Sequence, residues 1–494
     1  MIITTVLEKM CEKHPDKDAI VCDGKSLTFR QLNEQTHKLS YWLTAMGLEQ
    51  GDTVGILLPN CIEYPASFIA PLRLGAISVP LNPRYNPNEL KSIFKDCNLS
   101  ALITDDEHLE LAKNIVKGLH GFKFMLANYR FGPRFMPVIS HCGKTLKSDG
   151  FSNLNLEHTE IITTHIHDED DAVYIYTSGT TGQPKGVIMT HEIIACRGTN
   201  ARNLEVASDD KCYTVGGLHH NGKLFVGLIW SLYLGMTFYT DSEFHPEQTL
   251  KQIASSGISL FHASPFHFAV LANWDGFEKI PEMPYLRLCL SSGNRIDTDI
   301  ARKFYERFGV RITENYGITE AGGICTDGFP HAEVQIKILD EKGNELGKNM
   351  LGEVIVKKTE IAKGYLNHPK LTEKVFKNGW FHTGDIGRID ETGKIHIICR
   401  KKFSILVNGR IIYPDEIQGV LKTHPYVQDA LIQQYNGYLK AFVVVNKPCF
   451  AQSVIEYCQK NLESYKVPHI IEFCQKLPHL WQDAVEKNRF NQFS

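Results

Sequence analysis

At 494 residues, with 43% hydrophobic and 22% charged side chains, the chain is too long for one core, and two or more globular domains are expected. A net charge of −3 removes the electrostatic reason for a nucleic-acid or anionic-membrane partner. The N-terminus lacks the basic start and apolar core of a signal peptide, and no run approaches the ~18 apolar residues of a membrane span. Thirteen cysteines lie scattered, with no Cys-x-x-Cys pair and no zinc-like His/Cys spacing, so they read as reduced thiols and place the protein in the cytoplasm.

In chain order, Leu27-Thr28-Phe29 reads as a strand running into a helix with Leu39, Trp42 and Leu43 on one face. Thr53–Leu58 is a short apolar run suited to a buried parallel strand. The pattern repeats with a helix over Tyr64–Leu74 and a strand over Ala76–Pro80, then a helix over Leu90–Cys97 and a strand over Ala101–Thr104. Strands alternating with helices predict an α/β architecture built on parallel-type sheets. Residues 118–165 are mixed and rich in His, Lys and Gly, and read as a surface excursion.

The next stretch carries chemistry. Ala172–Tyr176 suits a strand, and Thr177, Ser178, Gly179, Thr180, Thr181 and Gly182 follow, then Gln183-Pro184-Lys185-Gly186 and a second apolar run, Val187–Met189. A strand that feeds a glycine- and hydroxyl-rich loop is a phosphate cradle: glycines turn backbone N–H groups toward an anion, hydroxyls add donors, and Lys185 adds a point charge. The usual phosphate loop ends in Gly-Lys-Ser/Thr, which is absent here. Further on, His219 and His220 sit in a glycine-rich turn, where a polar turn and a pocket role stay equally open. Leu286–Leu290 reads as a strand that ends at Ser291-Ser292-Gly293-Asn294-Arg295. Then come Ile312–Ile318 with Thr319 and Glu320, Gly379–Gly387 with Asp385, Lys394–Ile398 leading to Arg400 and Lys402, and Val407–Ile417 with Gly409. An aromatic such as Tyr316 can stack on a base, and the Glu320 carboxylate suits a hard cation. From about 403 the pattern is βαβ-like, with helices over 415–423 and 451–463 and strands over 428–434 and 440–446.

The Thr177–Lys185 stretch resembles the AMP-binding signature of the adenylate-forming superfamily, and the motifs around Tyr316–Glu320, Asp385 and Arg400 resemble it in the same order. The resemblance covers about residues 15–480. It implies a large N-terminal domain over 1–401 of stacked parallel-type sheets, with a β-rich subdomain over about 332–401. A small mobile α+β domain follows over 403–494, hinged near Lys402. It implies ATP, Mg²⁺ and coenzyme A as cofactors, and activation of a carboxylic acid to an acyl-adenylate followed by transfer to a thiol. The ATP-contacting residues it implies are Thr177, Ser178, Gly179, Thr180, Thr181, Gly182, Lys185, Asn315, Tyr316, Gly317, Thr319, Asp385 and Arg400, with Glu320 on the metal. Tyr316 packs on adenine, Thr319 reaches phosphate, and Asp385 takes the ribose hydroxyls. His219, Gly222, Gly293, Asn294 and Gly317 line the acid pocket, and Gly409 lets the thiol-bearing arm pass.

Two departures accompany this resemblance. The 321–331 connection is shorter than in relatives. The tail reads Leu477-Pro478 … Asp483-Ala484, where relatives carry Gly-Lys with a catalytic lysine, and Lys487 stands three residues on. Three readings stay open: an acyl-CoA synthetase that uses Lys487, a free-standing adenylation protein that loads a carrier protein, and an adenylation-impaired or non-catalytic nucleotide-binding relative. A homodimer is also left open.

Overall fold

The computed structural model describes residues 2–128, 136–140, 165–178, 184–276, 282–407, 410–435 and 438–477. By internal contacts the chain divides into two compact units, Met1–Val334 with Lys358–Lys377, and Gln335–Lys357 with Asn378–Ser494. The class is α/β with mixed sheets. No helix among the described residues is long and apolar enough to cross a membrane, and the twelve cysteines among them are all free.

The first unit holds two large sheets. In one, the strands Thr53–Leu57, Ile77–Pro80, Ala101–Asp105, Phe124–Asn128 and Asp171–Ser178 run parallel. The first of these strands, like its neighbour Ala101–Asp105, is buried along its whole length, as the apolar run predicts for a strand covered on both faces. Antiparallel strands Met136–Ser140 and Pro184–Thr190 close the two ends, and Gly364–Tyr365 adds a short rim to the latter. The intervening helices begin with local signals. Thr28 and Gln31 cap Phe29–Ala45 reciprocally, and Asn86 and Glu89 do the same for Pro87–Asp96, where Pro87 fits a first turn that needs no N–H.

The second sheet runs parallel through Asp18–Cys22, Thr237–Thr240, Lys211–Thr214, Leu260–Ala263, Leu288–Ser292 and Ile312–Ile318. Its far edge is an antiparallel hairpin, Gly322–Thr326 with Phe329–Pro330, beside Ile312–Ile318. The short 321–331 connection is therefore sheet. Asn221–Leu234 is a continuous helical run whose middle, Leu224–Ile229, is π-helical, and it packs on this sheet. π-helical insertions cost hydrogen-bond geometry and mark functional sites.

In the second unit, the strands Gln335–Leu339, Gly352–Lys357, Trp380–Ile389 and Ile395–Arg400 form an antiparallel sheet. A separate three-stranded sheet pairs Val427–Tyr435 with Tyr438–Val445, and Ile470–Phe473 lies parallel to the latter. The helices Pro414–Lys422 and Ala451–Asn461 cover it through Ile417, Leu421, Val454 and Cys458.

Candidate active site

The loop motif begins where two strands part. Asp171–Ser178 pairs antiparallel with Pro184–Thr190, so Thr177 stands opposite Lys185 and Ser178 opposite Pro184. Gly179, Thr180, Thr181 and Gly182 lie outside the described residues. Lys185 is buried. Burial holds its ammonium below the ordinary lysine range, while the Glu320 carboxylate acts against that shift. The two groups thus share one electrostatic environment although they are far apart in the chain.

Glu320 is held from several sides. The Tyr365 hydroxyl donates to its Oε1 at 2.6 Å, and the Ala362 N–H donates to its carbonyl at 2.7 Å. Beneath the turn lies Arg197, only 3% exposed, on the His191–Thr199 helix that follows the Pro184–Thr190 strand. Its guanidinium donates to the carbonyls of Thr319 and Glu320, both at 2.9 Å, and to that of Glu360 at 3.0 Å. Burial pushes the Arg197 pKa down to about 10, opposed by the carboxylates of Glu360 and Glu320. Glu360 in turn pairs with Lys358 at 2.8 Å and accepts from Asn200 at 2.7 Å, and Lys358 donates to the Gly323 carbonyl at 2.7 Å. Arg197, Glu360 and Lys358 therefore each have partners, which is the condition for tolerating charges in a low-dielectric interior. Sequence reading missed Arg197, Glu360, Lys358 and Tyr365, because no motif marks them.

Tyr316 and Gly317 lie on the Ile312–Ile318 strand, with a register irregularity between them opposite Gly323–Cys325. A Cβ on Gly317 would meet the Gly322 carbonyl oxygen at 2.5 Å, so this backbone approach requires glycine. Asn315 is partly buried, and its Oδ1 has no hydrogen-bond partner.

The acid-side residues gather at the carboxyl ends of the neighbouring parallel strands, where α/β sheets bind ligands. Asn60 fixes the turn: its amide donates to the Gly216 carbonyl at 3.0 Å, and its Oδ1 accepts from the Leu218 N–H at 2.9 Å. The His219 ring folds back onto Gly217 so closely that a Cβ there would sit 2.1 Å from it, and it packs on His220 with centroids 4.2 Å apart. Gly222 faces Ser292 Oγ and His262. Gly293, with φ +97°, and Asn294 are exposed at the strand end. His262 Nε2 hydrogen-bonds Ser292 Oγ at 2.7 Å, and His267 Nδ1 hydrogen-bonds Ser264 Oγ at 2.7 Å. Burial lowers the pKa of His219 and His262, of His220 to about 4, and of His267 to about 3, so all four are neutral at pH 7.

In the second unit, Asp385 and Arg400 are register partners that form a 2.8 Å ion pair, and Arg400 also donates to the Thr383 carbonyl at 3.0 Å. Lys402 stands in the one-turn Lys401–Phe403 3₁₀ helix, with its ammonium 4.9 Å from the Phe403 ring centre. Gly409 and Lys487 lie outside the described residues, as do Asp483 and Ala484.

The family described as AMP-binding enzyme matches residues 7–366, and its C-terminal domain matches 416–480. A protein from Bacillus subtilis named long-chain-fatty-acid–CoA ligase is 29% identical over 532 aligned positions, covering 96% of this chain and 91% of the relative. Its Escherichia coli namesake is 28% identical at the same coverage. Among solved structures, ATP-bound MatB from Rhodopseudomonas palustris superposes with a TM-score of 0.84 at 23% identity, covering 99% of both chains. The anthranilate CoA ligase AuaEII with anthranoyl-AMP gives 0.82 at 22% identity, covering 97% of this chain and 94% of that one. Matched along both its large and small domains, the chain belongs to the AMP-binding enzyme family and is an AMP-forming acid–thiol ligase that uses ATP, Mg²⁺ and coenzyme A.

Proposed function

We propose that this ligase adenylates its acid beside Lys185 and Glu320 and passes the acyl group to coenzyme A. One observation supports the reading above others. Glu320 is fixed by Tyr365 and by the Arg197 fork beneath its own backbone, within the electrostatic reach of Lys185. Such pre-set charges are what stabilise the charge that develops in adenylyl transfer. Glu320 is the metal ligand in this reading. Its donor chemistry fits Mg²⁺, which takes one or two carboxylates and completes its shell with water and substrate phosphates. Bound there, the ion supplies charge neutralisation at the phosphates.

Lys185 and the Thr319 hydroxyl meet the phosphates, and Tyr316 stacks on adenine with Asn315 and Gly317 beside it. Asp385 and Arg400 keep the ribose and phosphate roles that the resemblance gives them. His219, Gly222, Gly293 and Asn294 border the acid. Lys402 is the hinge, and Gly409 passes the pantetheine arm. Coenzyme A is the acceptor here, and a carrier protein is the alternative. The free state of the described cysteines suits a reducing cytoplasm.

ATP–pyrophosphate exchange tests the first half-reaction, and thioester formation from a supplied acyl-adenylate tests the second. Wild type is expected to perform both, and Glu320→Gln to lose exchange. Exchange that also vanishes in Lys487→Ala assigns the tail lysine to that residue. A protein that turns over acyl-adenylate and never exchanges is a thioesterification specialist, the reading favoured by Ala484. Activity with a phosphopantetheinylated carrier but not with coenzyme A overturns the acceptor.

A further inference from the structure

Next to Gly222, one of the residues assigned to the acid, stands a buried lysine that the reaction does not use. Lys223 is 5% exposed, and its Nζ has no hydrogen-bond partner and no ion pair. It stands at the start of the π-helical run, and Gly216 leaves room for its stem, since a Cβ there would touch Lys223 Cε at 3.4 Å and His267 Cε1 at 3.8 Å. Cys212 on the neighbouring strand acts on it, and it acts in turn on His220, just ahead of its own helical run, and on His262 and His267. No described carboxylate is among them. Two further buried polar atoms in this region also lack partners: His219 Nε2 and His262 Nδ1. A buried amine without a counter-ion costs stability, and orphaned polar atoms around it mark a place where a ligand completes the hydrogen bonding.

We propose that the acid this ligase activates carries a second carboxylate, which Lys223 receives, with His262 alongside. The proposal rests on the ligase reading, and it names the class of acid. Burial alone pushes the Lys223 amine down to about 7, so a bound anion drives it to take up a proton.

The test compares acids matched in length: succinate, glutarate and adipate against butyrate, valerate and hexanoate, with octanoate and palmitate as long monoacids. Wild type and Lys223→Met are assayed for thioester formation, and binding of each acid to the full chain is measured calorimetrically without ATP. Wild type is expected to favour a diacid. Lys223→Met, which keeps the volume, should lower kcat/KM for that diacid about a hundredfold, mostly through KM, and leave or improve the monoacids. Diacid binding should take up a proton in wild type and none in the variant. Equal use of diacids and monoacids, or a diacid preference that survives Lys223→Met, overturns the proposal. If no acid gives a thioester, the ligase reading fails, and calorimetry still decides the pocket. Lys223→Gln is the second variant. Diacid affinity unchanged in both variants, each melting as wild type does, overturns it as well.

Discussion

Arg197 joins two parts of the chain that no local rule connects. It lies on the helix that follows the phosphate hairpin, and it hydrogen-bonds carbonyls 122, 123 and 163 positions away. Removing it takes the guanidinium donor from the Thr319 and Glu360 carbonyls and one positive charge from beside Glu360 in a dry interior. Arg197→Met is therefore expected to cost about 3–5 kcal/mol in urea unfolding and to abolish exchange. Arg197→Lys should recover little, because one ammonium cannot serve three carbonyls in the guanidinium's forked geometry.

The buried histidines predict a pH dependence. His191 is 1% exposed, neither ring nitrogen has a partner, and burial lowers its pKa to about 4. Its folded pKa lies below the unfolded one, so the unfolded chain binds the extra proton. The stability is present above pH ~6.5 and is lost as pH falls toward about 4. Thermal melts should fall over that window, and His191→Leu should shallow the fall.

Among the elements, the Ile312–Ile318 strand and its hairpin meet closely at Gly317. Gly317→Ala drives a methyl into the Gly322 carbonyl, which cannot turn away without breaking the pairing at Gly317↔Gly323. It is expected to cost about 1–3 kcal/mol and to lower kcat for adenylation. Gly118→Ala is the control, since nothing stands within 4 Å of its Cβ, and it should melt as wild type does. Alternating strands and helices were legible because burial on both faces writes an unbroken apolar run, as at Thr53–Leu57 and Ala101–Asp105. The Gly322–Thr326 strand was not, since it is short, glycine-led and held by its neighbour. The π-helical stretch was also illegible, because Lys223 ahead of an apolar run looks like an ordinary helix start.

For the whole molecule, the proposed division of labour separates the half-reactions. Lys402→Pro removes an N–H and fixes φ at the hinge position. It is expected to slow thioester formation at least about tenfold while ATP–pyrophosphate exchange persists. Equal loss of both would remove the hinge role.

By itself, the sequence determined the nucleotide motifs and the α/β class. The family motifs at Thr177–Lys185, Tyr316–Glu320 and around Asp385 are each written in residues a few positions apart, and local spacing survives in a linear chain. Only the tertiary structure decided what surrounds them. Lys223 meets His262 because the Lys211–Thr214 and Leu260–Ala263 strands are adjacent, and Arg197 reaches Glu320 because distant segments pack together. Strand order and the burial it creates are properties of the assembled sheet. They turn an unremarkable lysine into an unpaired buried charge.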